Sequence, residues 1–323
     1  MERRHFLASV IAIVAATPSM AAAAGTDYPT RPIRMVVPFP PGSTTDAMAR
    51  FLGEQVSRTI GQSVVIDNKA GAQGSIAAAE VARAVPDGHT LLVGTNSTQA
   101  ANVYLIKSLP YDPRKDFAAI TQFAVNPLVM VIRADLPAMT LAEFMTYARA
   151  RPGQLNYGIG NTGSLVTAQK LTRMANLQAE GINYPGSPQA IADLLAGRLD
   201  FMITDVSVTR PHIESGKLKA LGVTTQQRLA SLPNVPTISE AGLSGYEFTA
   251  WGGLFAPAAT PPAVIATLNK AFVEALSSPE AQRFFERQGQ VAAPMTSSRF
   301  SAYVNEEIAT WGRLIEASGR KAE

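Results

Sequence analysis

The sequence contains no cysteine. That absence excludes thiol nucleophiles, thiolate-held iron–sulfur clusters and most structural zinc sites. It excludes disulfides too, so the fold must rest on a hydrophobic core, which a chain of 323 residues can supply. Histidine is scarce. Of three, His5 lies near the N-terminus, while His89 and His212 stand far apart with no acidic neighbour at metal-binding spacing, so structural or surface roles are expected. Charged residues make up only 16% and the net charge is +3, with basic residues scattered rather than gathered into a stripe, which argues against a nucleic-acid partner. Beyond the N-terminal segment no stretch approaches the ~18 uninterrupted apolar residues of a membrane helix. With 46% hydrophobic residues, the remainder reads as a soluble globular chain.

The N-terminus reads as a targeting segment. Arg3 and Arg4 precede an apolar run, Ala8 to Ala16, and Ala22-Ala23-Ala24 offers a small-residue cleavage site before Gly25. Residues 1–24 are therefore expected to be a secretory signal peptide, the apolar run being too short to span a bilayer. Arg3-Arg4-His5-Phe6-Leu7 also fits a twin-arginine signal, so the Sec and twin-arginine routes both stay open. Either route places the mature protein outside the cytoplasm.

From Ile33 the pattern alternates between periods of two and of 3.6 residues. Strands are expected at Ile33–Phe39, Val64–Ile66 and Thr90–Thr95, separated by helices carrying Met48, Leu52 and Val56 on one face and Ser75–Ala84. This is the rhythm of a parallel α/β sheet covered on both sides. Residues 117–133 break it as one long extended apolar segment, after which a second βα series runs to Val223. A second extended segment, Glu247–Ala256, precedes three C-terminal helices beginning near Pro262, Pro279 and Ser298. The expected architecture is α/β with two lobes, the second (126–247) inserted into the first (25–125 and 248–323) and two strands crossing between them.

Three strand-to-helix turns carry chemistry. Pro41-Gly42-Ser43-Thr44-Thr45-Asp46, Thr95-Asn96-Ser97-Thr98-Gln99 and Gly158-Ile159-Gly160-Asn161-Thr162-Gly163-Ser164 each combine short hydroxyl or amide side chains with the start of a helix. Free N–H groups and the positive end of the helix dipole suit an anion there. Serine and threonine also belong at N-caps that bind nothing, so each turn alone leaves both readings open. The third turn matches GxGxxG, with Glu180 at about the distance of a ribose-binding acid, which makes an exported NAD(P)-dependent oxidoreductase the alternative. Against it, the motif lies in the inserted lobe and no acid–base pair accompanies it. A serine hydrolase lacks its GxSxG and a partnered histidine. Asp46 and Asp205 could form a carboxylate pair, but Asp46 is more economically a first-turn dipole partner. Taken together, two turns from one lobe and one from the other would close around a small carboxylate and supply nothing to break a bond.

The segments Val36-Val37-Pro38-Phe39-Pro40-Pro41-Gly42, Asn68-Lys69-Ala70-Gly71, Pro86-Asp87-Gly88-His89, Leu109-Pro110-Tyr111-Asp112-Pro113, Tyr184-Pro185-Gly186-Ser187-Pro188 and Trp251-Gly252-Gly253-Leu254-Phe255 together resemble the Bug family, the periplasmic receptors of tripartite tricarboxylate transporters. The resemblance covers nearly the whole mature chain. It implies a periplasmic binding protein fold of the second type, without enzymatic activity or cofactor, and a monomer that hands a carboxylate to membrane permease subunits. By the same resemblance the ligand contacts are Phe39, Pro41, Gly42, Ser43, Thr44 and Asp46 in the first turn and Thr95, Ser97 and Thr98 in the second. Gly160, Asn161, Gly163 and Ser164 follow in the third, with Asp205 at a strand end of the second lobe. Three positions depart from the family pattern. Ser43 stands where a second glycine is usual, and Gln99 and Thr167 stand where histidine is frequent.

Overall fold

In a computed structural model of the chain, residues 28–318 and Ala322 are described; the expected signal peptide lies outside them. Runs of valine, isoleucine and leucine build the first strands, β1 (Ile33–Val37), β2 (Val64–Asn68) and β3 (Thr90–Thr95), which pair in parallel in the order β2-β1-β3. Their crossovers are α1 (Thr44–Ile60) and α2 (Ser75–Ala82). The apolar stripe of α1 puts Met48, Leu52 and Val56 into the core. Each such side chain contributes about 1.5–3 kcal/mol of burial. A single π-helical turn at Ser97–Ala101 and the short α3 (Asn102–Leu105) follow β3.

β4 (Phe117–Arg133) is the long extended segment expected from sequence, and its two halves pair in different sheets, which it links. Beyond it the chain adds α4 (Leu141–Arg149), β5 (Leu155–Ile159), α5 (Thr162–Met174), β6 (Ala179–Asn183), α6 (Ser187–Leu195), β7 (Phe201–Asp205), α7 (Val206–Glu214) and β8 (Leu218–Val223). It returns through β9 (Thr249–Pro257), α8 (Pro262–Ser277), α9 (Pro279–Arg287), β10 (Val291–Ala292) and α10 (Ser297–Ser318). Up to Pro127, β4 pairs with β9; from Leu128 it pairs with β7 and β8. Proline has no N–H to give a ladder, and Pro127 sits where the strand changes partners. The result is two lobes, the second inserted into the first, joined by β4 and β9. The expectation of a parallel sheet holds for β1–β3 and for β5, β6 and β7, but both crossover strands run antiparallel to their neighbours. An out-and-back crossing requires that, since the returning strand must reverse the outgoing one.

Thr224, fully buried, staples the two crossings. Its hydroxyl accepts from Leu128 N at 3.0 Å and donates to Phe248 O at 2.7 Å, while Phe248 N donates to Thr224 O at 2.8 Å. α10 lies across the same region, with Trp311 edge-on to Phe248 and Trp251 Nε1 donating to Glu307 at 2.7 Å. Among the described residues no helix is long and apolar enough to cross a membrane.

Candidate functional site

The first turn is built by consecutive prolines and one glycine. Pro38, Pro40 and Pro41 end the strand, and Gly42 reverses the chain with φ +79°, the left-handed region that favours glycine. Ser43 then caps α1, its Oγ accepting from Asp46 N at 3.3 Å, while Asp46 Oδ2 accepts from Gly42 N at 3.0 Å. This reciprocal cap leaves the amides of Thr44 and Thr45 without an intrahelical acceptor.

The Asp46 carboxylate is taken up by the protein. Arg50 donates to both oxygens (3.0 and 2.9 Å) and Asn68 Nδ2 to Oδ1 at 3.0 Å. Burial pushes its pKa up, and the hydrogen bonds from Arg50, Gly42 and Asn68 outweigh this and hold it below the ordinary value. Asn68 also donates to Phe39 O at 3.0 Å, so one amide fixes both ends of the turn. Pro41 projects outward and is exposed.

In the second turn Thr98 Oγ1 accepts from Thr95 N at 3.1 Å and Thr98 O accepts from Tyr111 Oη at 2.7 Å. Thr95 Oγ1 is buried with no partner. In the third, Asn161 caps α5 by accepting from Ser164 N at 2.9 Å, which leaves the Thr162 and Gly163 amides open. A Cβ on Gly160 would lie 2.6 Å from Ser187 N, so glycine is needed here for the close approach of α6. Asn161 Nδ2 donates weakly, at 3.5 Å, to Asp205, whose carboxyl is buried and pairs with no cation among the described residues. Burial pushes the Asp205 pKa up to about 6, against the pull of its own backbone amide and of Asn161.

The turns of the two lobes meet. Ser97 Oγ lies 2.6 Å from Thr162 Oγ1, and Thr44 Oγ1 lies 2.7 Å from Ser207 Oγ. A Cβ on Gly186, the N-cap of α6, would strike Pro40. The starts of α1, α5, α6 and α7 therefore converge on one cleft, and α6 and α7 have no side chain capping their first amides. Beside the first turn the cleft holds a cavity of about 350 Å³ with no lysine or arginine in its lining.

Sequence reasoning missed the α6 and α7 contributions. The strand-turn-helix pattern at Tyr184-Pro185-Gly186-Ser187 was the available signal for α6, being of the same kind as the three turns singled out. For α7 there was none, because Val206-Ser207-Val208-Thr209 alternates like a strand and Pro211 reads as a breaker.

The sequence profile described as "Tripartite tricarboxylate transporter family receptor" matches residues 48–320. The chain belongs to that receptor family. It is 35% identical to Protein BugT of Bordetella pertussis over 321 residues, covering 98% of each chain. The R. palustris protein Rpa4515, solved with adipate, superposes with a TM-score of 0.90 at 33% identity, over 92% of this chain and 100% of that one. MatC of Rhodopseudomonas palustris, solved with malate, gives a TM-score of 0.84 at 33% identity, over 89% of this chain and 100% of MatC. The fold is thus the two-lobe periplasmic binding protein fold of this receptor family, whose members bind solutes and are not enzymes. The dinucleotide reading of Gly158–Gly163 is thereby overturned, and the geometry supplies the reason. The space beside Gly160, where a dinucleotide's pyrophosphate would need close backbone approach, is filled by Ser187.

Proposed function

We propose that this receptor works in the periplasm, capturing a small carboxylate-bearing molecule between its lobes and delivering it to the permease subunits of a tripartite tricarboxylate transporter. One observation carries the reading. Four helix N-termini, two of them without side-chain caps, meet in a cleft whose cavity lacks lysine and arginine. Open backbone amides and aligned dipoles are what such a site offers, and they fit a carboxylate. Adipate in one family structure and malate in another support the same class of guest.

In this reading the amides of Thr44, Thr45, Thr162 and Gly163 hold the carboxylate, with Ser43, Thr95, Ser97, Thr98, Asn161 and Ser164 lining it and Asp205 bordering it. Asp46 and Phe39 shape the first turn through Asn68. The lobes divide at 125/126 and 247/248, and ligand biases them toward the closed state by its differential affinity. Export through the signal peptide of residues 1–24 and a monomeric state complete the proposal. Thermal shift against a panel of mono- and dicarboxylates tests it. At least one acid should raise the Tm in a concentration-dependent way. A panel with no effect on the wild-type protein, together with no small acid retained in native mass spectrometry, refutes the reading.

A further inference from the structure

Carboxylate capture gives Asp205 no task beyond bordering the guest. The residue ends β7 and precedes α7, is buried, and among the described residues its carboxyl has Asn161 Nδ2, at 3.5 Å, as its side-chain partner. Asn161 is also the cap that leaves the Thr162 and Gly163 amides open, because its Oδ1 accepts from Ser164 N at 2.9 Å. A single side chain therefore separates the Asp205 carboxyl from the amides assigned to the guest. The charged groups on the surrounding elements are committed elsewhere. Arg50 pairs with Asp46 across the cleft, Arg210 with Glu214 along α7, and Asp193 on α6 with Arg198. Glu286 and Arg287 at the end of α9 are exposed, and His212, which lines the cavity, follows two turns along α7. Residues 126–128 of β4 and the first turn of α5 carry no ionisable group. No neighbouring charge contributes to the raised pKa of Asp205, which burial dominates.

We infer that Asp205 is a proton site of the receptor, so that binding a carboxylate takes up one proton from solvent and the captured species is the anion together with H⁺. This rests on the carboxylate-capture reading above and extends it to the protonation state of the complex. Two carboxylates brought together without a cation do not both stay ionised, because a like charge within ~4–6 Å disfavours the charged form. In the unliganded protein burial already raises Asp205 to about 6. A guest carboxylate on the Thr162 and Gly163 amides adds a like charge and raises it further. The sign follows by linkage. A group whose pKa is higher in the complex than in the free protein gains a proton on binding, so affinity is greatest below about 6 and falls as pH rises. The neutral carboxyl also gains an O–H, a donor the guest's carboxylate can accept.

Calorimetric titration with adipate, malate and benzoate between about pH 6 and 8, repeated in buffers of different ionisation enthalpy, counts the proton directly; the range lies above the ordinary carboxylate pKa, so the probes keep their charge. In the wild-type protein the acid that binds most tightly should lose about tenfold to fiftyfold in affinity across this range, with roughly 0.6–0.9 of a proton taken up at about pH 7, as one linked proton requires. Asp205→Asn, which imitates the neutral carboxyl, should bind that acid with an affinity constant to within about twofold over the range and with no proton uptake. His212→Gln should keep the slope, although histidine side chains as a class change charge in this window. A wild-type affinity that does not vary with pH overturns the proton site while carboxylate capture stands. So does an Asp205→Asn protein that keeps the slope or loses binding at the acid end, or a slope that disappears with His212→Gln. A wild-type protein that binds none of the three acids at the acid end overturns capture itself.

Discussion

Replacing Asp205 by asparagine isolates the buried acid of the cleft that, unlike Asp46, pairs with no cation among the described residues. Burial is the largest cause raising its pKa from 3.8 to about 6, and the lowering effects of its own amide and of Asn161 offset only part of this. At ~1.4 kcal/mol per pH unit, ionising Asp205 in the fold costs on the order of 3 kcal/mol relative to ionising it in the unfolded chain. Because the folded pKa is the higher one, the stability linked to this group is fully present below about pH 4 and is lost as pH rises through about 6. Asparagine keeps the shape and cannot ionise. Asp205→Asn should therefore gain on the wild type as pH rises from 4 to 7, by on the order of 3 kcal/mol in urea denaturation and about 5 °C in Tm, then stay constant. Measuring both proteins without ligand across that range decides it. A difference that does not change with pH refutes the claim that the burial of this carboxyl is only partly compensated.

Asp46 should behave in the opposite sense. Its folded pKa is lowered, so the stability it contributes is present above the ordinary carboxylate value and fades as pH falls below it; Asp46→Asn should be destabilising at pH 7 and progressively less so in acid, as read by denaturant midpoints. Gly160→Ala places a Cβ 2.6 Å from Ser187 N and should lower stability by about 1–3 kcal/mol, while Gly160→Val should also remove any Tm shift by carboxylates. Thr224→Val keeps the volume but strips Leu128 N and Phe248 O of their partner, which should cost about 1–3 kcal/mol in urea titration.

How much of this was legible beforehand varies with the range of the interaction. β3 and the long segment of residues 117–133 fall where the apolar periods placed them, because clustered valine, isoleucine and leucine bounded by glycine or proline specify a strand locally. The cap of α1 was equally plain, since Ser43 and Asp46 interact within one turn. Asn68 was not: its grip on Phe39 O and Asp46 joins residues more than twenty apart, which no local pattern encodes. Ser207 went unseen because its helix is disguised by alternation and by Pro211, and its contact with Thr44 exists only once the lobes are placed together. The turns were therefore visible as parts, and their convergence required the tertiary structure.

A crystal structure with a bound diacid tests the central claim most directly. One carboxylate should lie within about 3 Å of the Thr44 or Thr45 amide and of the Thr162 or Gly163 amide at once, bridging the lobes with no lysine or arginine in contact. A guest held by basic side chains, or lodged outside the cleft where α1 and α5 begin, contradicts the account.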